Sequence, residues 1–250
     1  MAGVLAVQAI RIMTYHVHRC RGGDGRTDPE RIAEVIRQVA PDLVALQDVN
    51  SIEDRSQLAY LASQLGMQSF GQDRIGGNAL LSLMPLKGLQ YYRLARGGFC
   101  QRADIDLAGQ RLYLYNLRLD TGFYRYRQQV RALFGPELLG RHSAQCPQLV
   151  IGDFADPLAA ALLFNWPGTM RRTPTPFWSA TYPARFPLLN LDRGYLRGGL
   201  RILDCSVLHS SLAREASTHL PVTFTVQMAD PRNYLRIDGL KSHRMEIAPG

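Results

Sequence analysis

The stretches "AIRIMTYHV", Ala9 to Val17, and "DLVALQDV", Asp42 to Val49, decide the fold class. Both are short apolar runs rich in β-branched and aromatic residues, the composition of buried strands. Between them Asp28 stands as an N-cap with Pro29 at the first helical position. Ile32, Val35, Ile36 and Val39 then recur on one helical face before Pro41 ends the helix. A strand, a helix and a second strand in that order predict an α/β protein.

Working outward, Leu58, Leu61, Ala62 and Leu65 repeat the helical spacing, with Gly66 placed as a C-terminal cap. Strands are expected at Asn78 to Leu83, Leu89 to Leu94 and Phe99 to Leu107. Ala108 and Gly109 then turn the chain into Gln110 to Leu119, a hairpin. Strands at this density after a β-α-β opening suit a two-sheet α/β sandwich with antiparallel pairing. A helix is expected from about Phe123 to Leu139, interrupted by Pro136, then the buried strand "QLVIGDF" and a short helix "PLAAALLF", Pro157 to Phe164. Residues Pro167 to Pro187, rich in Pro, Thr and Arg, read as a long surface loop, which in a compact domain is more often a binding segment than a filler. Strands around "LNLDRGYL", "LRILDCSVL" and "PVTFTV" close a single domain over residues 1–226, leaving 227–250 as a tail.

The 250 residues are 46% hydrophobic and 20% charged, a globular rather than a disordered or fibrous composition. A net charge of +8 favours an anionic partner such as nucleic acid, a lipid headgroup or a phosphorylated metabolite. Because no run of five basic residues occurs, a generally basic surface is an equal reading. Cys20, Cys100, Cys146 and Cys205 lack C-x-x-C or zinc spacing and read as reduced thiols. No run of about 18 apolar residues appears, and Met1 to Met13 lacks the basic segment of a signal peptide, so a cytoplasmic chain is expected. "RGGDG", Arg21 to Gly25, lacks the Lys and Ser/Thr of a P-loop. Arg125, Arg127 and Arg131 beside Tyr124 and Tyr126 fit a solvated helical face better than a nucleic-acid backbone site.

Four segments in order, "IRIMTYHVH", "DLVALQDV", "LVIGDFAD" and "STHLPV", resemble the motif series of the endonuclease/exonuclease/phosphatase superfamily. That series reads roughly T-Y-N-V-H, L-Q-E-V, N-T-H-L, G-D-F-N and S-D-H-L-P. "YNLRL" stands for the third motif, and the Asp of "NLDRGYL" for the acidic residue before the last. "RGGDGRTDPERIAEVI" and "GNALLS" add to the likeness, which spans about Arg11 to Val226. The resemblance implies two packed mixed sheets flanked by helices, with the site on loops at one edge. It also implies phosphoester hydrolysis assisted by a divalent cation, magnesium or manganese. Carried over by position, Asp153 activates water, His219 contacts phosphate and Asp192 orients His219. Asp48 and His16 fall at metal positions, and Arg118 and Asn116 at phosphate-binding ones.

The same alignment exposes five departures. His16 stands where the family has Asn, Asp48 where it has Glu, Arg118 where it has His, Ala155 where it has Asn, and Thr218 where it has Asp. Asp48 draws its carboxylate back by a methylene, about 1.5 Å, and Ala155 has no polar side-chain atom to hold a water. His16 and Arg118 can be read three ways. His16 with Asp48 and His219 can form a nitrogen and oxygen site for zinc or another transition metal. Arg118 can replace metal charge with a fixed guanidinium, giving a phosphate-binding pseudoenzyme that serves a ligand or a protein partner with no cofactor at all. Both can also be fillers of a decayed pocket. Each retained residue has a plainer reading as well: Asp153 as a strand-end turn residue, His219 as a core histidine, Asp192 as an ion-pair partner of Arg193.

Overall fold

A computed structural model describes residues 9–52, 56–95, 97–107, 109–140, 146–155 and 170–229. The chain opens with β1 (Ala9–His16), α1 (Pro29–Val39), β2 (Leu43–Val49) and α2 (Gln57–Leu65). The expected caps form: the Asp28 carboxylate accepts from the backbone N–H of Glu30 and Arg31, and Gly66 closes α2 in the left-handed conformation. Next come β3 (Gln68–Gly71), β4 (Gly77–Ser82), β5 (Lys87–Leu94), β6 (Gly98–Leu107), β7 (Gln110–Arg118), α3 (Phe123–Leu133) and β8 (Gln148–Asp153). The last elements are β9 (Arg171–Arg172), β10 (Asp192–Arg197), β11 (Leu200–Val207), α4 (Ser211–Ala216) and β12 (Val222–Met228).

These strands form two six-stranded mixed sheets, ordered β11-β12-β1-β2-β4-β3 and β5-β6-β7-β8-β10-β9. In the first, β1 and β2 run parallel, as the crossover through α1 demands; in the second, β7 and β8 run parallel across α3. Ile12, Leu43, Ala45 and Leu80 of the first sheet face Ala103, Ile105, Leu114 and Leu149 of the second, which makes the central core. On the outer faces, α1, α2 and α4 cover the first sheet, and α3 packs on the second through Tyr126, Val130 and Leu133. The layers are therefore those of an α/β sandwich flanked by helices.

Three local expectations change. The helix from Phe123 ends at Leu133 rather than Leu139, because Gly135 and Pro136 follow within one turn and the chain passes into turns instead. The short edge strands β3 and β9 and the helix α4 were not expected; "QSFG" and "RR" are too short and polar to carry a strand signal. The segment "PLAAALLF" and most of the tail lie outside the described residues, as do residues 167–169 at the start of the long loop. The rest of that loop is tied down: Tyr182 and Leu189 form a bridge, and Thr181 accepts Leu220 N–H at its carbonyl. No helix among the described residues is long and apolar enough to cross a membrane.

Candidate phosphoester site

Strand ends from both sheets converge at one edge of the sandwich. From the first sheet come His16, the last residue of β1, and Asp48, near the end of β2. The β2 and β4 register shifts between Leu46 and Val49, and Asp48 takes a left-handed φ of 56°. That irregularity re-aims its carboxylate inward, as bulges beside sites commonly do. From the second sheet come Arg118, Asp153 and Asp192, direct partners across β7, β8 and β10. His219 arrives on the loop between α4 and β12.

The buried His16 imidazole lies between two carboxylates. Its Nδ1 is 2.7 Å from Asp153 Oδ2 and its Nε2 is 3.8 Å from Asp48 Oδ2. Burial alone would push the imidazole towards the neutral form, but the Asp153 and Asp48 carboxylates outweigh it and lift the pKa to about 9. Burial likewise opposes ionisation of Asp48, yet His16 and Arg118 hold it down at about 2. Asp153 is also held below the usual carboxylate range, against its burial, by the His16 hydrogen bond.

Arg118 completes this cluster. Its Nη1 donates to the Gly76 carbonyl at 3.1 Å and to Asp48 Oδ1 at 3.3 Å, while Arg19 Nε stands 3.8 Å from the other Asp48 oxygen. Gly76 has to be glycine: its φ is +67°, and a Cβ there would come within 2.6 Å of Asp48 Oδ1. Both bonds of Arg118 use Nη1; Nε and Nη2 meet no acceptor among the described residues.

A second dyad lies alongside. His219 Nδ1 is 2.8 Å from Asp192 Oδ2, and the Thr181 hydroxyl donates to the same oxygen at 2.6 Å. Asp192 Oδ1 is buried without a hydrogen-bond partner. The rings of His16 and His219 stack at 4.3 Å with planes 10° apart, and the Tyr182 ring lies tilted against His219 at 4.8 Å. Arg193 does not serve as the ion partner of Asp192: its guanidinium is turned over the Phe154 ring, 4.4 Å from the centroid. Ligand atoms of His16, Asp153 and His219 lie within 4.8 Å of one another.

Asn116, expected at phosphate, is fully buried, where its Oδ1 accepts from Gln47 and its Nδ2 donates to the carbonyls of Leu46 and Ala79. An amide so engaged ties the two sheets together instead of facing a ligand. Ala155 supplies only a backbone N–H, already donated to Asp153 Oδ1 at 2.9 Å. Thr218 is half-buried, and its carbonyl accepts from Ala184 N–H. Sequence reading missed Thr181, Tyr182 and Arg19. The first two stand in the loop whose composition marked it as a binding segment; Arg19 carried no signal, because its neighbour is set by a left-handed turn at φ 54°.

Comparison with known proteins agrees with this architecture. A structure from Bacteroides thetaiotaomicron, named as an endonuclease/exonuclease/phosphatase family protein, superposes with a TM-score of 0.72 at 15% identity, over 90% of this chain and 99% of its own. An endonuclease/exonuclease/phosphatase from Beutenbergia cavernae gives 0.69 at 19% identity, over 89% and 72%. TDP2 of D. rerio, solved with a single-strand DNA product, gives 0.71 at 14% identity, over 88% and 99%. No curated protein sequence matches the chain. The sequence model of the Endonuclease/Exonuclease/phosphatase family, however, matches residues 17–223, well over half of the chain, and on that match the chain belongs to this family.

Proposed function

We propose that this family member binds phosphoesters without hydrolysing them, using fixed side-chain cations where a divalent cation would otherwise sit. The observation that carries this reading is the closure of the Asp48 carboxylate by Arg118 on one oxygen and by His16 and Arg19 on the other. Magnesium needs several oxygen ligands at about 2.0–2.1 Å in near-octahedral array. Here the oxygens of Asp48 and Asp153 face an imidazole and guanidinium groups, so the residues present do not fit that ion. Hydrolysis also lacks its water-handling groups. Asp153 has one oxygen on His16 and the other on the Ala155 amide, which leaves it a poor proton acceptor, and Ala155 offers nothing further to position a water.

An anion entering the site would meet the unused N–H groups of Arg118, a planar donor set suited to phosphate oxygens, and Nε2 of His219, the ring nitrogen that Asp192 does not engage. The test is calorimetry with inorganic phosphate in the presence of a chelator. Binding is expected without metal, and Arg118→Ala should weaken it about tenfold, the loss of one charge-assisted pair. A parallel screen of generic phosphodiesters and phosphomonoesters with magnesium, manganese and zinc should show no turnover above background. Robust metal-dependent turnover would sink the reading.

One observation favours a second reading. The mutual approach of His16, Asp153 and His219 is a nitrogen-rich donor set of the kind zinc or manganese accepts. It requires His16 to give up its bond to Asp153, so tight zinc binding lost on His16→Asn would select it.

A further inference from the structure

Five residues form a row of cross-strand partners in the second sheet: Asp192, Asp153, Arg118, Phe99 and Arg93, on β10, β8, β7, β6 and β5 in turn. Direct partners project from the same face of a sheet. The row therefore leads from the His219 and Asp192 dyad, through Arg118, to Phe99 one strand away, a step of about 4.8 Å. Beyond Arg118 it opens into a cleft of about 210 Å³, lined among others by Arg74, Asn78, Tyr91, Arg93, Phe99 and Gln101. That volume is below the range of about 300–1,000 Å³ usual for whole drug-sized ligands, so the cleft suits one ring system as part of a larger ligand.

The chemistry of its walls is particular. The Arg74 guanidinium lies over the Phe99 ring, 4.0 Å from its centroid. Burial, with Arg93 and Arg118 nearby, lowers the Arg74 pKa, which marks a cluster of like charges. No ion pair among the described residues involves Arg74 or Arg93. Two polar atoms of the lining are buried without partners: Nε of Arg74, a donor, and Oδ1 of Asn78, an acceptor. The Asn78 orientation is set by its Nδ2, which donates to the Asn116 carbonyl at 2.9 Å, and the residue is only 6% exposed. Leaving such atoms dry and unpaired is costly, so they point to a group that supplies both an acceptor and a donor.

We propose that this cleft is a subsite for the nucleobase of a nucleotide or nucleic-acid strand whose phosphate lies at Arg118. The inference rests on the phosphate-binding reading above. A base edge carries donors and acceptors side by side, and its flat face stacks on aromatic rings and guanidinium planes. Inorganic phosphate and a polyol have no flat face for the Phe99 and Arg74 pair, and an acyl chain satisfies neither atom.

The experiment is calorimetry on the full chain with chelator present. Its probes are inorganic phosphate, ribose 5-phosphate, the nucleoside 5′-monophosphates, an uncharged nucleoside and phosphatidylglycerol vesicles. At least one monophosphate should bind about tenfold tighter than ribose 5-phosphate, the worth of one stacked base. Arg74→Ala and Phe99→Leu should each bring that ratio close to one, and Phe99→Leu, which removes no charge, should leave ribose 5-phosphate affinity unchanged. Inorganic phosphate and ribose 5-phosphate that bind while the parent's ratio is already near one overturn the base subsite alone. Nucleoside binding that disappears in Phe99→Leu, in a chain that ignores inorganic phosphate, keeps the subsite and overturns the phosphate reading. Tight vesicle binding without nucleotide preference, or a ratio that survives both substitutions, overturns the proposal.

Discussion

The charge on His16 binds two carboxylates that would otherwise repel one another in a pocket nearly closed to water. Its pKa of about 9 in the fold exceeds the ordinary 6.5, so the sign of the linkage is fixed. The contribution to stability is full below pH 6.5 and is lost as pH rises through about 9. At about 1.4 kcal/mol per unit the ceiling is about 3 kcal/mol. Urea unfolding at pH 6, 7.5 and 9 should show a falling midpoint for the parent and a nearly level one for His16→Asn; a level parent would count against the charged bridge. All five departures from the family motifs were legible in the sequence because each is a change of residue at an aligned position. Their pairing was not. Nothing in the spacing of residues 16, 48, 118 and 153 says that the new cations face the old carboxylates, since that depends on the bulge at Asp48 and on two sheets meeting. For Asn116 the motif position was clear in the sequence, and its burial was not.

Among the elements, β8 carries the tightest constraint. Gly152 has φ +145°, and a Cβ on it would lie 1.9 Å from the Leu117 carbonyl oxygen of the neighbouring strand β7. A backbone oxygen cannot rotate away, so the strands would have to part beside Asp153. Gly152→Ala should cost about 3 kcal/mol or more. Gly109→Ala, at φ +81° with nothing within 4 Å, should cost only about 1 kcal/mol for the left-handed conformation. Chemical denaturation of the two variants compares them, and equal losses would refute the close approach. The strands on either side of this glycine were readable because they are apolar runs bounded by turn residues. The long loop could be recognised as a loop by composition, but not as the holder of Thr181 against Asp192, because that contact depends on the Tyr182 and Leu189 bridge.

For the whole molecule, the sandwich is intact around the pocket, so on the non-hydrolytic reading any lost chemistry lies in side chains. His16→Asn, Asp48→Glu, Arg118→His, Ala155→Asn and Thr218→Asp made together should create magnesium-dependent phosphodiesterase activity on generic substrates. Each alone should do little, since groups that act as a unit are strongly non-additive. Adding Asp153→Ala should abolish the gain. A folded quintuple variant that stays inactive would show that the deficit extends past these five positions.

One arrangement reaches further than ligand binding. His16 and Asp48 belong to one sheet and Arg118 and Asp153 to the other, and directly beneath them Gln47 of the first sheet bonds Asn116 of the second at 2.8 Å. The pocket is thus a rivet between the two layers, set at the edge where solvent would first enter between them. Amide protons at the ends of β1, β2, β7 and β8 should therefore exchange with solvent at closely similar slow rates, as members of one opening unit. In a variant that lacks both His16 and Arg118 side chains, they should separate into two groups, one for each sheet.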